Sequence, residues 1–204
     1  MTQHPHDAES RQTISDEAGQ VQFVPGMPLS VGFPLGLLPE GATNDTQLGV
    51  IRLGSHLHRI PIAHYQIWLQ ATVCLTQSDP TFDDDRAREI LSELTMEGLI
   101  VTLQTSHQMD LSILQFHPCG AGLGLSPNGR DLMLCSPSGV RLALGPLLYH
   151  VWANSGRLRS LSDVCDAAAS DFALPVETVA LHFLTNLPAL IAAGVGYLDS
   201  TYDA

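Results

Sequence analysis

The chain has 204 residues, 45% of them hydrophobic, and a formal net charge of −12 at pH 7, and all nine of its basic residues are arginines. So acidic a protein repels phosphate groups, which disfavours general binding to nucleic acids or anionic membranes and favours basic or neutral peptides as partners. Its apolar runs are too short for a membrane span, and its four cysteines lack Cys-x-x-Cys spacing and follow no signal peptide, so we expect reduced thiols in a cytoplasmic protein.

The sequence changes from polar to apolar along its N-terminal part. Residues 1–19 have almost no apolar side chains, which predicts a disordered tail. Residues 20–39 are apolar but contain four prolines, a density that permits short edge strands and not a helix. Residues 47–53 and 57–60 then predict a β-hairpin that turns at Gly54.

Two helices and a strand are predicted to follow this hairpin. Pro61 suits the start of a helix, where no N–H is needed, and the helix should end near Cys74. After a turn over residues 77–82, three consecutive aspartates cap a second helix, because carboxylates oppose the positive end of the helix dipole. Gly98 ends that helix, and residues 99–103 form a strand.

The same order is predicted again over residues 110–198. Residues 111–116 form a strand, and residues 131–135 and 140–144 form a hairpin around the turn Ser-Pro-Ser-Gly. Three helices follow, and a short strand ends the unit.

The three helices of this second unit have distinct signals. The first begins at Pro146. Ser160 and Asp163 resemble a capping box at the start of a short second helix. The third covers residues 175–193 and contains Pro188, which removes a backbone hydrogen bond and should kink or break the helix.

Two aromatic pairs indicate an internal duplication. Trp68 and Trp152 are the only tryptophans; each follows a tyrosine by three positions, and they lie 84 positions apart. Agreement at a fixed offset is typical of a repeated structural unit. Units this small bury little apolar surface alone, so we expect the two copies to pack against each other. Other pairs at this offset are Pro34 with Pro118, Gly36 with Gly120, Asn44 with Asn128 and Leu48 with Leu132.

Strands followed by helices and a final strand are the outline of a winged helix-turn-helix unit. We therefore predict an α+β fold of tandem winged helix-turn-helix-like domains, each with a small antiparallel sheet and two or three helices. Residues 20–104 form a degenerate first domain that has lost most of its middle helix. Residues 105–204 form the second domain, which keeps all three helices.

Winged helices often bind DNA through the third helix, but the charges here disfavour that function. Residues 175–193 contain no arginine or lysine, and residues 83–97 carry six acidic residues against two arginines. Phosphate contacts supply much of the affinity of DNA complexes, so nucleic-acid binding is not expected. Arg157 and Arg159, before the middle helix of the second unit, are the feature that favours a transcriptional regulator.

Catalytic and metal-binding patterns are weak. His56 and His58 alternate along a predicted strand, but a zinc site needs a further ligand at a suitable spacing. His117 beside Cys119 is likewise isolated. No Gly-x-Ser-x-Gly motif, phosphate-binding loop or paired-carboxylate signature is present. We predict that the protein is not an enzyme and uses no cofactor or metal.

Three stretches of the second copy resemble a known family. They are DLMLCSPSGVRLALGPLLYHVW, the short helix RSLSDVCDAAASDF and the helix LPVETVALHFLTNLPALIAAGVGYL. In spacing they are similar to the pyrroloquinoline-quinone synthesis protein D family, the peptide recognition elements of ribosomal natural-product pathways. The resemblance implies a non-catalytic module in which a leader peptide adds a strand to the hairpin edge and lays apolar side chains in the groove beside the third helix.

The resemblance also implies which residues bind the peptide. We expect a peptide-recognition or adaptor protein that presents a leader or precursor peptide to a modifying enzyme. The alternatives are a tandem winged-helix scaffold that clamps a partner protein or dimerises, and a transcriptional regulator. An accessible strand edge favours peptide capture, whereas an edge covered by the other copy favours a scaffold. The implied residues are Val140, Arg141, Leu142, Ala143 and Leu144 on the strand, and Val179, His182, Phe183 and Asn186 on the helix.

Overall fold

The computed structural model describes residues 26–39, 47–72, 84–104 and 110–201. Over these residues the chain has a mixed α+β architecture with five helices and small antiparallel sheets. The tail predicted over residues 1–19 and the turn predicted over residues 77–82 lie outside the described residues.

The first half of the chain contains a three-stranded sheet, a two-stranded ladder and two helices. Its elements are β1 (Pro28–Ser30), β2 (Phe33–Pro39), β3 (Gln47–Leu53), β4 (His56–Pro61), α1 (Ile62–Thr72), α2 (Asp85–Met96) and β5 (Ile100–Thr102). Strands β2, β3 and β4 form one antiparallel sheet, and β1 pairs with β5. The predicted hairpin is confirmed: β3 turns into β4 at Gly54, whose φ of 56° is a left-handed value that glycine adopts at little cost.

The second half has the same strand pairings and one more helix. Its elements are a 3₁₀ turn (Leu111–Ile113), β6 (Leu114–Pro118), β7 (Ala121–Leu125), β8 (Leu132–Cys135), β9 (Arg141–Leu144), α3 (Pro146–Ser155), α4 (Leu161–Phe172), α5 (Val176–Ala192) and β10 (Gly196–Ser200). Strands β7, β8 and β9 form the sheet, and β6 pairs with β10. In each half, a ladder of the first and last strands thus accompanies a three-stranded sheet.

The structure corrects the strand predicted over residues 111–116. Leu111–Ile113 form a 3₁₀ turn, and β6 begins only at Leu114. The turn forms because the Asp110 carboxylate accepts a hydrogen bond from the Ser112 N–H at 2.9 Å. A local side-chain bond of this kind competes with strand pairing.

Pro188 was predicted to kink or break its helix, and the structure shows no break. The helix α5 continues as a single element from Val176 to Ala192. Leu184, Leu187 and Ile191 are buried on either side of the proline. Packing of this apolar face offsets the missing backbone hydrogen bond, because tertiary contacts supply most of the stability of a helix in a protein.

Two clusters of buried apolar side chains form the core. One surrounds Trp68 in the first half. The other surrounds Trp152 in the second half and includes Leu29 and Val31 from the first half. The predicted packing of the two halves against each other is confirmed, because β1 contributes directly to the core of the second half.

Taken singly, none of the helices in the described parts of the chain has the length and hydrophobicity of a membrane span. Only α4 and α5 meet these criteria, as a pair bent by 119°.

Candidate functional site

The strand β9 is the outer strand of its sheet, and no strand other than β8 pairs with it in the described residues. A tight turn sets where it begins. The Ser136 N–H donates to the Val140 oxygen at 2.8 Å, and the Gly139 N–H donates to the Ser136 oxygen at 2.9 Å. The Ser136 hydroxyl also accepts from the Val140 N–H at 3.0 Å. Four of the five strand residues implied by the family resemblance therefore form an edge strand, and Val140 precedes it.

The pairing register shows which backbone groups of β9 face outward. In an antiparallel ladder, hydrogen-bonded pairs alternate with pairs that are not hydrogen-bonded. Because the Ser136 N–H bonds to Val140, the next residue of β9 that is bonded to β8 is Leu142. The N–H and C=O groups of Arg141 and Ala143 consequently point away from β8.

The side chains of β9 alternate between the two faces of the sheet. Arg141 and Ala143 are exposed, whereas Leu142 is half-buried and Leu144 is buried. The helix packed against this strand is α3. Val140, which is 41% exposed, adds apolar surface at the start of the edge. The edge thus combines outward backbone donors and acceptors with partly exposed apolar side chains.

The structure does not place all of the predicted helix residues on an open surface. Val179 is 0% exposed and Phe183 is 1% exposed. The Phe183 ring lies edge-on to the Phe116 ring, with 5.5 Å between centroids, so its surroundings are those of a core residue. His182 is exposed, and Asn186 is half-buried and donates its side-chain N–H to the His182 oxygen at 2.8 Å.

The predicted strand and helix residues also lie in different packing environments. The helix α5 packs against α3, α4 and β10. Next to β9 lies α3, whose Leu147 and Tyr149 are half-exposed. A groove beside β9 would therefore have α3 as its nearer wall.

A polar cluster at the junction of the two halves was missed by the sequence analysis. Asp199 has a buried side chain, and its Oδ1 accepts hydrogen bonds from the Gly54 N–H at 2.7 Å and the Ser200 N–H at 2.9 Å. Tyr197 accepts a hydrogen bond from the Arg52 guanidinium at 2.9 Å. These contacts join the hairpin of the first half to the last strand of the second.

His117 belongs to the same cluster. Its ring stacks on Tyr197 with 4.9 Å between centroids, and its Nε2 lies 3.7 Å from Asp199 Oδ2. Burial lowers the pKa of His117 even though Asp199 raises it, and Arg52 lowers it further. Burial also raises the pKa of Tyr197. The pairing of β6 with β10 places His117 directly opposite Tyr197, and this long-range pairing has no local signal in the sequence.

Metal ligation has no structural support where the chain is described. Among those residues, no group of three His, Cys, Asp or Glu side chains could hold a metal ion. His56, His58 and His117 are therefore not part of such a group. The zinc site considered for the His56 and His58 pair therefore gains no third ligand among the described residues.

No family model, curated protein or solved structure matches this chain.

Proposed function

We propose that this chain is a non-enzymatic peptide-recognition or adaptor protein, built from two winged helix-turn-helix-like units and similar to the pyrroloquinoline-quinone synthesis protein D family. It binds an extended stretch of a leader or precursor peptide by strand addition to β9 and presents it to a modifying enzyme. The observation that carries the proposal is the outward direction of the Arg141 and Ala143 backbone groups, at an edge that no strand of the described residues covers.

The backbone hydrogen bonds of an added strand contribute only a limited binding free energy at this edge. An added strand makes up to two hydrogen bonds to each of Arg141 and Ala143, and each bond contributes roughly 1 kcal/mol net. Association costs at least about 4 kcal/mol in lost translational and rotational freedom, so backbone bonds alone give weak binding. Selectivity and further affinity must come from apolar peptide side chains that contact Val140 and Leu142 at the edge.

The position of the first half favours peptide capture over a closed scaffold. The first half reaches the second through α1 against α5 and through β2 against β10. The strand β9 does not take part in these contacts, so its edge is not covered by the other copy within the described residues. A DNA reader is disfavoured because α5 carries no arginine or lysine and one glutamate, Glu177.

Replacing Ala143 by proline tests this proposal. Its outward N–H takes no part in the pairing with β8, so proline removes the donor that a peptide needs while leaving the sheet pairing in place. The variant Ala143→Val keeps the N–H and serves as the matched control. Tagged wild-type and variant proteins, each shown by circular dichroism to be folded, are used to capture partners from a lysate of the source organism, followed by mass spectrometry.

We expect a short precursor peptide to co-purify with the wild type and Ala143→Val and to be lost with Ala143→Pro. Equal recovery by all three proteins, or recovery of DNA alone, contradicts the proposal. Substituting His182 and Asn186 together by alanine tests the helix surface: unchanged capture assigns the groove wall to α3, and lost capture assigns it to α5.

A further inference from the structure

Charge is unevenly distributed between the sheet and the helices of the first half. The strands β2, β3 and β4 contain no aspartate or glutamate, but they carry two exposed arginines, Arg52 and Arg59. Among the described residues of this half, the acidic ones lie on α2 and its caps instead. They are Asp84, Asp85, Glu89, Glu93 and Glu97.

The strand register places both arginines on the outer face of the sheet. Residues paired directly across strands share a face, and residues two apart on one strand also share it. Phe33, Arg52 and Leu57 form one row across the three strands, and Arg59 lies two positions after Leu57. The Arg52 guanidinium lies 5.6 Å from the centroid of the Phe33 ring, which agrees with this arrangement. Leu57 is 59% exposed.

The opposite face of the same sheet points into the core. Ile51 and Ile60 are buried there, in the cluster around Trp68. Gly49 leaves room for the ring of Tyr65 on α1, with which a Cβ at this position would collide. The helix α1 therefore covers this inner face. On the outer face, Tyr197 of the second half contacts Phe33 and Arg52, and Val50 is buried, whereas Leu57 and Arg59 stay exposed.

The outer edge of β4 has unpaired backbone groups. In a hairpin with a two-residue turn, the residues that flank the turn form a hydrogen-bonded pair, which here is Leu53 with His56. Alternation then bonds His58 and Ile60 to β3 and turns the N–H and C=O of Leu57 and Arg59 outward. Among the described residues, no strand other than β3 pairs with β4.

We propose that this β4 edge is a second docking surface, which takes an extended segment of a partner protein that carries a carboxylate two residues from an apolar side chain. An added strand places one residue opposite Leu57 and another, two positions along, opposite Arg59. Directly opposed side chains have Cβ atoms about 5 Å apart, which suits an apolar contact at the first position and an ion pair at the second. The β4 edge belongs to the first half of the chain, whereas β9 belongs to the second, so this inference does not depend on the proposed function.

The strand β4 carries an arginine and no acidic residue, although the chain as a whole is acidic. The helix α1 packs against β3, β4 and α2, whereas the main contacts of the acidic helix α2 are with α1 and β5. An α-helix is about 10 Å wide, whereas charges in physiological salt are screened over about 8 Å. Arg59 is the cation that can pair with a carboxylate of the partner. Arg52 already bonds to Tyr197, whereas the Arg59 side chain has no ion pair or hydrogen bond among the described residues. A nucleic acid fits less well, since binding its phosphates requires several cations.

Nuclear magnetic resonance of the ¹⁵N-labelled full chain tests the proposal with two short probe peptides. In both peptides, threonine alternates with the residues that lie opposite Leu57 and Arg59. These residues are leucine and glutamate in the acidic probe, and leucine and lysine in the lysine probe. We expect the acidic probe to shift the amide signals of Leu57 and Arg59 and to bind about fivefold more tightly than the lysine probe. A single-stranded oligothymidylate serves as the nucleic-acid probe.

Variants distinguish binding at the β4 edge from binding elsewhere on the chain. Arg59→Glu should reverse the preference between the two peptides, whereas Arg86→Glu, the same change on the acidic helix α2, should leave it unchanged. Ala143→Pro should also leave it unchanged, because that variant alters only the β9 edge. The proposal is overturned by an equal or opposite preference in the wild type, by an unaltered preference in Arg59→Glu, or by shifts of these amides with the oligothymidylate alone. Absence of any shift at Leu57 and Arg59 with both peptides overturns it as well.

Discussion

The indole N–H of Trp152 donates a hydrogen bond to the carbonyl oxygen of Val195 at 2.7 Å, where α5 gives way to β10. The equivalent tryptophan of the first half, Trp68, donates instead to the carbonyl oxygen of Val31 at 3.1 Å, just after β1. Val31 follows the first strand of its half, and Val195 precedes the last. Each half has its own two-stranded ladder, β1 with β5 in the first and β6 with β10 in the second. The two hydrogen bonds lie at corresponding ends of these ladders, but their acceptors belong to opposite strands. The two halves thus have a tryptophan at a similar position and differ in the group that it bonds.

This difference predicts unequal effects of replacing each tryptophan by phenylalanine. The Val195 oxygen keeps a hydrogen bond from the Cys119 N–H at 2.8 Å, whereas the Val31 oxygen has no other donor among the described residues. Both variants lose ring volume, and we expect about 2 kcal/mol of destabilisation for Trp152→Phe and about 3 kcal/mol for Trp68→Phe. Urea unfolding followed by circular dichroism measures both, and a larger loss for Trp152→Phe contradicts the assignment.

The junction between the halves depends on Asp199. Its buried carboxylate is the hydrogen-bond acceptor for the Gly54 N–H, so Asp199→Ala leaves that donor unsatisfied at the junction. We expect a loss of about 2 kcal/mol in the free energy of unfolding. Asp171→Ala is the matched control, because Asp171 is largely exposed and should change stability by about 0.5 kcal/mol or less. Equal effects of the two variants would show that the junction contributes little.

The pH dependence of stability should report the burial of His117. Its pKa lies below the ordinary value of 6.5 because burial disfavours the charged ring, so the folded protein binds the proton more weakly than the unfolded chain does. Its contribution to stability is complete above about pH 6.5 and is lost as the pH falls toward the lowered pKa. Arg52, Asp199 and Tyr197 are the charged or titratable groups around it.

We therefore expect the free energy of unfolding of the wild type to decline between about pH 7 and about pH 5, and His117→Phe to reduce that decline. Phenylalanine preserves a ring that can stack on Tyr197 without binding a proton. Urea titrations at several pH values measure the difference between the two proteins. A steeper decline in the variant contradicts the assignment.

Local signals predicted the ends of the helices well. Gly98 was predicted to end one helix, and another was predicted to end at residue 193, just before Gly194. Both glycines adopt left-handed φ values, 73° and 69°, next to the C-cap residue of a helix. Ser160 and Asp163 form the predicted capping box, with the Asp163 N–H donating to the Ser160 hydroxyl at 3.2 Å. These features depend on residues close together in the sequence, so local chemistry is enough to locate them.

The site was harder to predict because apolar periodicity does not distinguish a core from a groove. Val179 and Phe183 lie on the apolar face of α5, and only the packed structure shows that this face is fully buried. The cluster of His117 with Asp199 depends on the pairing of β6 with β10, which joins residues far apart in the chain. Long-range register of this kind has no local signal in a single sequence.

The thiol of Cys165 provides a test of the second core. Cys165 is 1% exposed, and burial, with a smaller effect from Asp166, raises its pKa to about 12. Because the thiolate is the reactive form, roughly one thiol in ten thousand is ionised at pH 8, and alkylation should require unfolding of the core around Trp152. Labelling with iodoacetamide, read by peptide mass spectrometry, should leave Cys165 unmodified in native buffer and modify it fully in concentrated urea. The labelling rate in native buffer should rise in Trp152→Phe about tenfold for each 1.4 kcal/mol of stability that the variant loses. Rapid labelling of Cys165 in the native wild type would contradict the burial of this core.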